Sequence, residues 1–444
     1  MNQTLFRLPR SRQGASLRSL LALLCLLTPL AAKALPAFAR QTGQRCATCH
    51  AGGQYPELTP FGRTFKLTGY TLGTRGMPLS VMGVASRSKT AAPSDDAAFA
   101  KDAVALFQTG SIFVGGKVND HLGIFAQATY NNYDSQDPDT GRWSGKWGSD
   151  NFDLRYANRE LVPDTDLILG LSLNNNPSVA DPWNTAPAWM QYVPTQFGVT
   201  GPDAAPVVTQ LGAQVAGVGA YAFWNEHVYA ELAAYQTANG IWSFLSQGTA
   251  NADQLKLRGL NPYLRLAYSR DWGPHSAMVG MFGLNADVYP DNLSPTGPTV
   301  SYRDRGVDAQ YQYLLNQQTV TAQLSFIEES IINGDVAGVA THALDRLRQL
   351  RAKGSYVYEA KYGMGLNYFK TSGSADSTLY PDPAGKPDTR GWEPELFWIP
   401  EEHVRVGAQY FAYNRFHGVS SNYDGAGRAA SDNNTLFLYL WAAY

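Results

Sequence analysis

From residue 79 to the C-terminus, apolar and polar side chains alternate in segments of roughly ten or more residues, the length of a membrane-crossing strand. In the segment 318–331, for example, Val320, Ala322 and Leu324 are separated by polar residues. A period of two places successive side chains on opposite faces of a strand, so each segment predicts a β-strand with one apolar and one polar face. Such strands build soluble sandwiches as well as membrane barrels.

The connections between these segments distinguish the two folds. Sixteen segments fit the sequence, and tight connections alternate strictly with long ones, a rhythm that bacterial membrane barrels have and sandwiches do not need. We therefore predict an all-β fold, a sixteen-stranded antiparallel transmembrane β-barrel over residues 79–444, with its tight turns on the periplasmic side. The predicted strands are 79–88, 103–117, 121–133, 146–157, 164–174, 207–223, 227–238, 260–270, 275–288, 300–314, 318–331, 343–358, 362–371, 391–400, 402–415 and 433–444.

The composition agrees with a barrel and excludes other classes of protein. Charged residues make up 16% of the chain and aromatic residues 12%. A mean hydropathy of −0.27 is too polar for a bundle of transmembrane helices. The formal net charge of −2 provides no basic excess to neutralise phosphates, so we expect no nucleic-acid partner.

Residues 1–34 have the pattern of a secretory signal peptide. Several arginines precede the short apolar segment 20–30, and Ala32-Lys33-Ala34 fits the small-residue cleavage pattern. The apolar segment is too short to span a bilayer as a helix, which needs about 20 residues, although an uncleaved anchor is the alternative. The sequence therefore predicts export, and the barrel predicts insertion in the outer membrane of a Gram-negative bacterium.

Outside the signal peptide the only cysteines are Cys46 and Cys49, and they belong to the motif Cys46-Ala47-Thr48-Cys49-His50. This is the C-x-x-C-H signature of covalent haem attachment, in which two thiols on one turn bond the porphyrin and the imidazole ligates the iron. A thioredoxin-like dithiol is the alternative, but it requires a βαβ setting that is not visible here. We predict one covalently bound haem c, with His50 as the proximal iron ligand, on a segment spanning residues 35–78.

The distal haem ligand is less defined by the sequence. Met77 and Met82 are the methionines nearest to the motif, and Met77 is named as the possible distal ligand. Arg40, Arg63 and Lys66 are candidates to offset the haem propionates, although pairing with acids is the alternative. Four histidines that follow predicted tight turns are candidates to ligate the haem or to contact a redox partner, although simple solvation at the periplasmic rim is the alternative: His121, His227, His275 and His403.

Charged residues inside the predicted strands are expected to face the lumen or the rims, because an arginine facing lipid at the bilayer midplane costs about 2–4 kcal/mol. They are Arg155, Glu231, Arg265, Arg346, Arg348 and Glu359. Acidic residues in the long connections offer oxygen donors for transient contact with Fe(II), although solvated loop acids are the alternative. They are Asp95, Asp96, Asp137, Asp139, Asp376 and Asp388.

Residues 36–71, PAFARQTGQRCATCHAGGQYPELTPFGRTFKLTGYT, resemble the fused outer-membrane monohaem cytochrome c–porin (iron oxidase) family of iron-oxidising bacteria. The matching pieces are FARQTG before the haem motif and PELTPFGR, FKL and GY after it, whereas the barrel matches by architecture alone. The resemblance implies haem attachment at Cys46 and Cys49 and ligation by His50. It also implies oxidation of ferrous iron at the cell surface and delivery of electrons to periplasmic cytochromes.

A single haem held wholly in the periplasm would leave the apolar band of the barrel, ~25 Å tall, uncrossed. We therefore expect the short haem segment to plug the lumen of the barrel. Fe(II) would be the electron donor, a periplasmic cytochrome c or copper protein the acceptor, and outer-membrane lipid the surrounding medium. The alternatives are a porin-cytochrome that serves other external donors, a porin with a structural haem, and a soluble cytochrome with a β domain.

Overall fold

The computed structural model describes residues 36–53, 57–92, 105–137, 139–140, 142–184, 204–247, 254–334 and 336–444. The predicted signal peptide, residues 1–34, lies outside these ranges, and so do the loop acids Asp95 and Asp96. Within the described residues, no helix has the length and apolar character required to cross a membrane.

Sixteen strands form one closed antiparallel barrel in which each strand pairs with its neighbours in sequence and the first pairs with the last. The predicted strand number and order are confirmed. The strands are β1 Leu79–Thr90, β2 Leu106–Lys117, β3 Leu122–Gln136, β4 Trp143–Asn158, β5 Leu167–Asn174, β6 Val215–Trp224, β7 Val228–Thr237, β8 Asn261–Trp272, β9 His275–Val288, β10 Val300–Leu314, β11 Gln318–Ile332, β12 Leu344–Tyr358, β13 Tyr362–Gly373, β14 Thr389–Glu401, β15 Val404–Arg415 and β16 Thr435–Ala443.

The prediction for the start of the sixth strand is wrong. A strand was expected from residue 207, but Val207–Thr209 forms a 3-10 turn and β6 begins at Val215. Pro206 precedes the 3-10 turn, and the backbone amides of Val207 and Val208 donate to carboxylates inside the barrel instead of to a neighbouring strand. An apolar run that reads as a strand is therefore a loop folded inward.

The outer surface of the barrel is apolar and the inner surface is polar. Exposed aliphatic side chains cover the middle of the strands: Leu171, Val218, Leu232, Leu264, Val279, Leu324, Leu366, Leu396 and Leu438. Exposed aromatic side chains lie near both ends of the strands: Tyr156, Trp224, Trp272, Tyr358, Tyr362 and Trp398 at the short turns, and Phe107, Trp147 and Trp392 at the long loops. An apolar band between two aromatic girdles is the surface expected of a barrel in a lipid bilayer.

The charged residues of the strands follow the prediction. Arg155, Glu231 and Arg265 are buried on the inner face. Arg346 and Arg348 are exposed near the long-loop end of β12, where both lie near Glu328. Glu359 lies in the tight turn after β12 with a φ of 52°. The expectation that these side chains face the lumen or the rims is confirmed.

Several inner-face aromatic rings lie over a glycine on the adjacent strand. A Cβ atom built on Gly363 would lie 1.9 Å from the ring of Phe397, its direct partner across β13 and β14. The same arrangement recurs at the pairs Gly170–Tyr221, Gly217–Tyr235, Gly306–Phe282 and Gly407–Tyr439. The aromatic ring fills the space that the missing side chain leaves open, and the pair fixes the register of its two strands.

The N-terminal segment before the barrel contains three short helices, α1 Ala37–Thr42, α2 Cys46–Cys49 and α3 Pro60–Leu67. Thr59 begins α3, because its hydroxyl accepts a hydrogen bond from the Gly62 amide and Pro60 occupies the first helical position. After α3 the chain turns through Gly69 and Tyr70, both with positive φ. The segment then leads into β1.

This segment contacts buried side chains on the inner face of the barrel. Arg63 donates to Ser276 Oγ at 2.6 Å and to Gln312 Oε1 at 3.1 Å. Tyr70 donates to Asp153 Oδ2 at 2.5 Å, and the Gln41 side chain accepts from the Lys117 amide at 2.9 Å. These partners are close to the short-turn ends of β2, β9 and β10 or in the adjoining half of β4, so the segment packs in that half of the barrel.

The described parts of the connection between β5 and β6, residues 175–184 and 204–214, also fold inward, although the sequence predicted a long external loop here. The connection contains the short helix α4, Pro177–Ala180, and the fully buried Trp183. Asp181 forms an ion pair with Arg265 of β8 at 3.2 Å. The Val207 amide donates to Glu329 of β11 at 2.6 Å. Described parts of two separate segments therefore form hydrogen bonds or ion pairs with side chains on the inner face of the barrel.

Candidate functional site

The two cysteines of the C-x-x-C-H motif lie on one helical turn. Helix α2 begins at Cys46 and ends at Cys49, and the His50 amide donates to the Cys46 carbonyl oxygen at 2.9 Å. The Cys46 side chain is buried and both thiols are free of disulfide bonds. This geometry brings two thiols and the following imidazole together at the same turn, as covalent haem attachment requires.

The turn is held in position by the start of α3. The Thr59 amide donates to the Cys49 carbonyl oxygen at 2.9 Å, and the Thr59 hydroxyl donates to the Thr48 carbonyl oxygen at 2.5 Å. Gly62 permits this close approach, because a Cβ atom there would lie 2.2 Å from the Cys49 oxygen. Residues that follow the haem motif in sequence therefore also hold its turn in position.

Burial shifts the pKa values of the motif. Burial raises the pKa of the Cys49 thiol to about 11, with a smaller contribution from Cys46. Burial lowers the pKa of His50 to about 4, although the charge of Glu57 opposes the shift. The imidazole is therefore neutral at pH 7, which is the form that ligates iron. Glu57 itself is buried and forms an ion pair with Lys353 of β12.

A cavity of about 530 Å³ adjoins the motif inside the barrel. Its volume lies within the range of ligand pockets, about 300–1,000 Å³. On one side it is lined by Cys46, Cys49 and His50. On the other side it is lined by residues of β1–β4 and β16. Aromatic side chains from both sides line it as well: Phe38, Phe65, Tyr70, Phe113 and Phe125.

These aromatic residues form one cluster. The ring of Phe38 lies 5.0 Å from Phe65, 5.3 Å from Tyr70 and 6.0 Å from Phe125, measured between centroids. Rings at such distances attract one another beyond the area that they bury. Two thiols, one neutral imidazole and a cavity with aromatic walls are the residues that a covalently attached, planar, largely apolar porphyrin needs, so the site fits a c-type haem.

The two methionines considered as the distal ligand lie in different environments. Met77 is 67% exposed and does not line the cavity. Met82 is on β1 and lines the cavity together with His50. The geometry therefore favours Met82 over Met77 as the thioether that faces the haem position.

The three cations considered for the propionates also differ in position. Lys66 lines the cavity and donates to the Asp181 carbonyl oxygen at 2.9 Å. Arg63 is bound to the barrel wall, and Arg40 donates to the carbonyl oxygens of Met77 and Leu79. Of the three, Lys66 alone lines this cavity.

The four rim histidines lie at the short-turn end of the barrel and none of them lines the cavity. His227 Nδ1 lies 2.9 Å from the Ser269 carbonyl oxygen. His275 Nδ1 lies 2.8 Å from the Tyr311 hydroxyl, and its ring stacks on Trp272. These two imidazoles therefore make contacts at the short-turn ends of the strands and with the aromatic girdle.

Among the loop acids proposed for contact with iron, Asp376 has a structural role of its own. Asp376 is buried, and its carboxylate accepts hydrogen bonds from the backbone amides of Thr341, His342, Thr378 and Leu379. Burial opposes ionisation, but these hydrogen bonds outweigh it and hold the pKa of Asp376 well below its usual range. Asp376 therefore ties together the two loops that flank β12 and β13.

A group of potential metal ligands surrounds this carboxylate. Donor atoms of His342, Asp345 and Asp376 lie within 4.8 Å of one another. Both oxygens of Asp376 already accept hydrogen bonds from backbone amides. We therefore assign these three residues to the structure of the loops and not to a metal site. The other described loop acids, Asp137, Asp139 and Asp388, do not line the cavity.

Sequence reasoning missed a polar wall of the cavity on β2, β3 and β4. Thr129 Oγ1 donates to Asp150 Oδ2 at 2.7 Å and lies 2.8 Å from Ser111 Oγ. Asn151 donates to Gln127 Oε1 at 2.8 Å. All five side chains line the cavity. The adjacent polar pair Asp150-Asn151 interrupts the alternation of β4, and that interruption was the available signal.

No protein-family model matches the sequence, and no curated protein matches it. The chain is similar to solved outer-membrane structures. OmpF of Salmonella typhi in complex with daunomycin has 10% identity, with a TM-score of 0.49 over 82% of this chain and 97% of that chain. The outer membrane channel DcaP of Acinetobacter baumannii has 12% identity, with a TM-score of 0.46 over 82% and 96%. A loop L8 deletion mutant of OmpT from Vibrio cholerae has 9% identity, with a TM-score of 0.45 over 82% and 98%.

Proposed function

We propose that this protein is an outer-membrane c-type cytochrome of the fused monohaem cytochrome–porin type. It oxidises extracellular Fe(II) and passes the electrons, through one covalently bound haem in the barrel lumen, to a periplasmic cytochrome c or copper protein. The observation that carries the proposal is the position of Cys46, Cys49 and His50, which line a cavity enclosed by the strands of the barrel.

The depth of the cavity supports electron transfer across the membrane. Along β2 its lining extends from Gly115 near the short-turn end to Gln108 near the long-loop end. This is roughly 23 Å along the strand at about 3.3 Å per residue, and roughly 17 Å of depth for a tilt near 40°. The apolar band is ~25 Å tall, so the lining of this cavity spans most of that height.

Several residues that line the cavity would hold the haem, each in a different role. Cys46 and Cys49 would attach the haem, His50 would provide its proximal nitrogen, and Met82 on the barrel wall would offer a thioether. Lys66, which lines the same cavity, would offer a cation to the propionates. When bound, a c-type haem supplies a one-electron redox couple whose potential is set by its axial ligands and its burial.

The electron balance requires one donor and one acceptor. Each Fe(II) ion gives up one electron at the long-loop side and leaves as Fe(III). One oxidised periplasmic cytochrome or copper protein accepts that electron at the short-turn side, where Trp441 and Ala443 line the end of the cavity. The N-terminal helices and residues 178, 179 and 184 of the β5–β6 connection line the cavity beside the strands.

The deciding experiment uses the full chain, exported by a host that matures c-type cytochromes and purified from the outer membrane. We expect one covalently bound haem per chain and reduction of its absorbance bands on stopped-flow mixing with Fe(II). His50→Ala should abolish the native spectrum, whereas the control His403→Ala, at a histidine that does not line the cavity, should retain it.

Two results would reject the proposal in different ways. A purified chain without covalent haem removes the cytochrome assignment. A haem-bearing chain whose bands stay oxidised with Fe(II) at the pH of growth, while a chemical reductant does reduce them, removes the iron oxidation alone.

A further inference from the structure

Six cations form a belt on the outer face of the barrel, between β10 and β14 and at the long-loop ends of the strands. Exposed apolar side chains mark the outward-facing positions of these strands: Val307 on β10, Leu344 on β12, Leu366 on β13 and Trp392 on β14. The cations occupy outward-facing positions of the same strands: Arg303, Arg305, Arg346, Arg348, Lys370 and Arg390. Two acids share this surface, Asp287 of β9 and Glu328 of β11. We call the six cations the cation belt.

The strand register makes the cation belt continuous. Arg305 is the direct partner of Glu328, and Glu328 is the direct partner of Arg348, with which it forms an ion pair at 2.6 Å. The direct partner of Arg348 on β13 is Ser372, two residues from Lys370. Residues placed diagonally in this way on adjacent strands lie about 7–8 Å apart. In this part of the belt, one acid therefore serves three cations.

Lys370 and Arg390 have no acid between them. They are exposed direct partners across β13 and β14, and Arg390 is in turn the direct partner of Arg415 on β15. Directly opposite side chains have Cβ atoms about 4.5–5.5 Å apart, and like charges placed so destabilise a sheet. Arg415 lies 3.6 Å from Asp388, whereas no acid among the described residues forms an ion pair with Lys370 or Arg390. This arrangement of like charges indicates an anion that another molecule supplies.

The cation belt lies at the level of lipid headgroups. Tyr368 and Trp392 are direct partners on the same outer face, and their ring centroids lie 4.6 Å apart. Such aromatic residues mark the interface between membrane and water. Lys370 and Arg390 follow this pair by two residues toward the long loops, roughly 7 Å along the strands at about 3.3 Å per residue. Because long loops are external in bacterial barrels, the belt faces the outer leaflet.

The charge is concentrated on one side of the barrel. The outer faces of β5, β6 and β7, which the structure describes in full, carry no charged residue. The outer face of β8 carries Arg270 alone, at the short-turn end. The whole chain has a formal net charge of −2, so six cations on one surface are a local feature and not a consequence of the composition.

We propose that the cation belt binds the phosphate groups of lipid A, the phosphorylated glycolipid of the outer leaflet of the outer membrane. Guanidinium groups bind phosphate in bidentate geometry, and each cation beside an anionic lipid surface adds to the affinity. The acyl chains of the same lipid lie along the apolar side chains nearer the bilayer midplane, such as Val307 and Leu366. This binding depends on the outer wall of the barrel and is independent of the haem and of iron oxidation.

The test measures binding of bisphosphorylated lipid A to the purified full chain in nonionic detergent by native mass spectrometry. The wild type is compared with the double variant Lys370→Gln/Arg390→Gln and with the matched control Lys361→Gln/Arg270→Gln. The control removes an exposed lysine and an exposed arginine from the short-turn end of the barrel. We expect the double variant to weaken lipid A binding about tenfold or more, whereas the control stays within twofold of the wild type.

Thermal unfolding provides a second readout that also shows whether the variants fold. Since Lys370 and Arg390 repel each other when no anion is bound, the double variant should melt in detergent alone at or above the Tm of the wild type. Lipid A should raise the Tm of the wild type and of the control, because a ligand that binds the folded state stabilises it. It should raise the Tm of the double variant much less.

Four results would overturn the proposal. Lipid A may bind the wild type and the double variant equally, or dephosphorylated lipid A may bind the wild type as tightly as the phosphorylated form, which would assign the binding to acyl chains. If inorganic phosphate stabilises the wild type as much as lipid A at equal concentration, the occupant is a free anion. If the wild type forms oligomers in lipid-free detergent and the double variant does not, the cation belt is a contact between copies of this chain.

Discussion

The hydroxyl of Tyr70 donates a hydrogen bond of 2.5 Å to Asp153 Oδ2, the oxygen that also accepts from Arg155 Nε at 2.7 Å. Tyr70 is in the N-terminal segment, and the other two residues are on the inner face of β4. This contact therefore ties the segment that carries the haem motif to the wall of the barrel, with all three side chains buried.

Removing the hydroxyl should loosen this attachment. We expect Tyr70→Phe to lower the free energy of unfolding by about 1.5–3 kcal/mol, the range for a buried hydrogen bond to a charged group. Denaturant titration followed by haem absorbance measures the change. The control Tyr362→Phe removes a hydroxyl from an exposed tyrosine on the outer surface. Equal midpoints for the two variants would contradict the structural role of Tyr70.

A methyl group at Gly62 should disturb haem attachment. Because the added Cβ atom would lie 2.2 Å from the Cys49 carbonyl oxygen, α3 must move away from the haem-binding turn. We expect Gly62→Ala to cost about 1–3 kcal/mol, as overpacking does, and to reduce the amount of covalent haem per chain.

The control for Gly62 is Gly354→Ala on β12, where nothing lies within 4 Å of the added methyl group. Haem content is measured as the ratio of haem absorbance to protein. Full haem loading of Gly62→Ala, at the level of Gly354→Ala, would show that the turn does not depend on the close approach of α3.

The distal ligand can be assigned by comparing two methionines. Met82 lines the cavity, whereas Met77 is exposed, so Met82→Leu should change the ferric EPR spectrum and Met77→Leu should not. Thioether ligation raises the reduction potential, so Met82→Leu should also lower the potential measured by redox titration. A wild-type spectrum and potential in Met82→Leu would exclude this methionine as a ligand.

Asp376 is expected to act on loop structure and not on iron. Its pKa is lowered in the folded protein, so its contribution to stability is complete above the unfolded pKa near 4 and is lost as the pH falls through the folded value. Asp376→Asn should destabilise the two loops by about 1–3 kcal/mol at neutral pH and should speed amide hydrogen exchange at Thr341 and Leu379. A slower reaction with Fe(II) and no change in exchange would instead assign Asp376 to the donor site.

The barrel could be predicted from the sequence because its signal is local. Period-two alternation and connection length are properties of neighbouring residues, and they gave all sixteen strands. The inward β5–β6 connection could not be predicted in this way. Residues 207–211, VVTQL, were predicted as the start of a strand. The amides of Val207 and Val208 are instead satisfied by Glu329 and Asp304, which are about a hundred residues away in sequence, so a local pattern could not reveal the loop.

The candidate site could likewise be predicted only in part from the sequence. The spacing of Cys46, Cys49 and His50 is visible in the sequence, and it predicts covalent haem attachment without any structure. The polar wall depends on two register shifts, and only strand pairing reveals that Gln108 and Asp150 are turned into one cavity. Met82 is likewise favoured because its side of β1 faces the cavity, whereas Met77 precedes β1 and is exposed, and the distance in sequence to the haem motif does not show this.

The proposed plug of the lumen predicts the behaviour of the protein as a channel. Open barrels of sixteen strands leave an aqueous passage, whereas here the N-terminal segment is bound to the wall through Arg63, Tyr70 and Glu57, and the β5–β6 connection through Asp181. We expect single channels of the full chain in planar bilayers to conduct far less than an open sixteen-stranded porin. Loosening the segment by combining Tyr70→Phe with Lys353→Met should raise the frequency of open events, and the control Tyr362→Phe should not. A large, steady conductance of the unmodified chain would show that ions bypass the segment, and the protein would then act as a porin whatever its haem does.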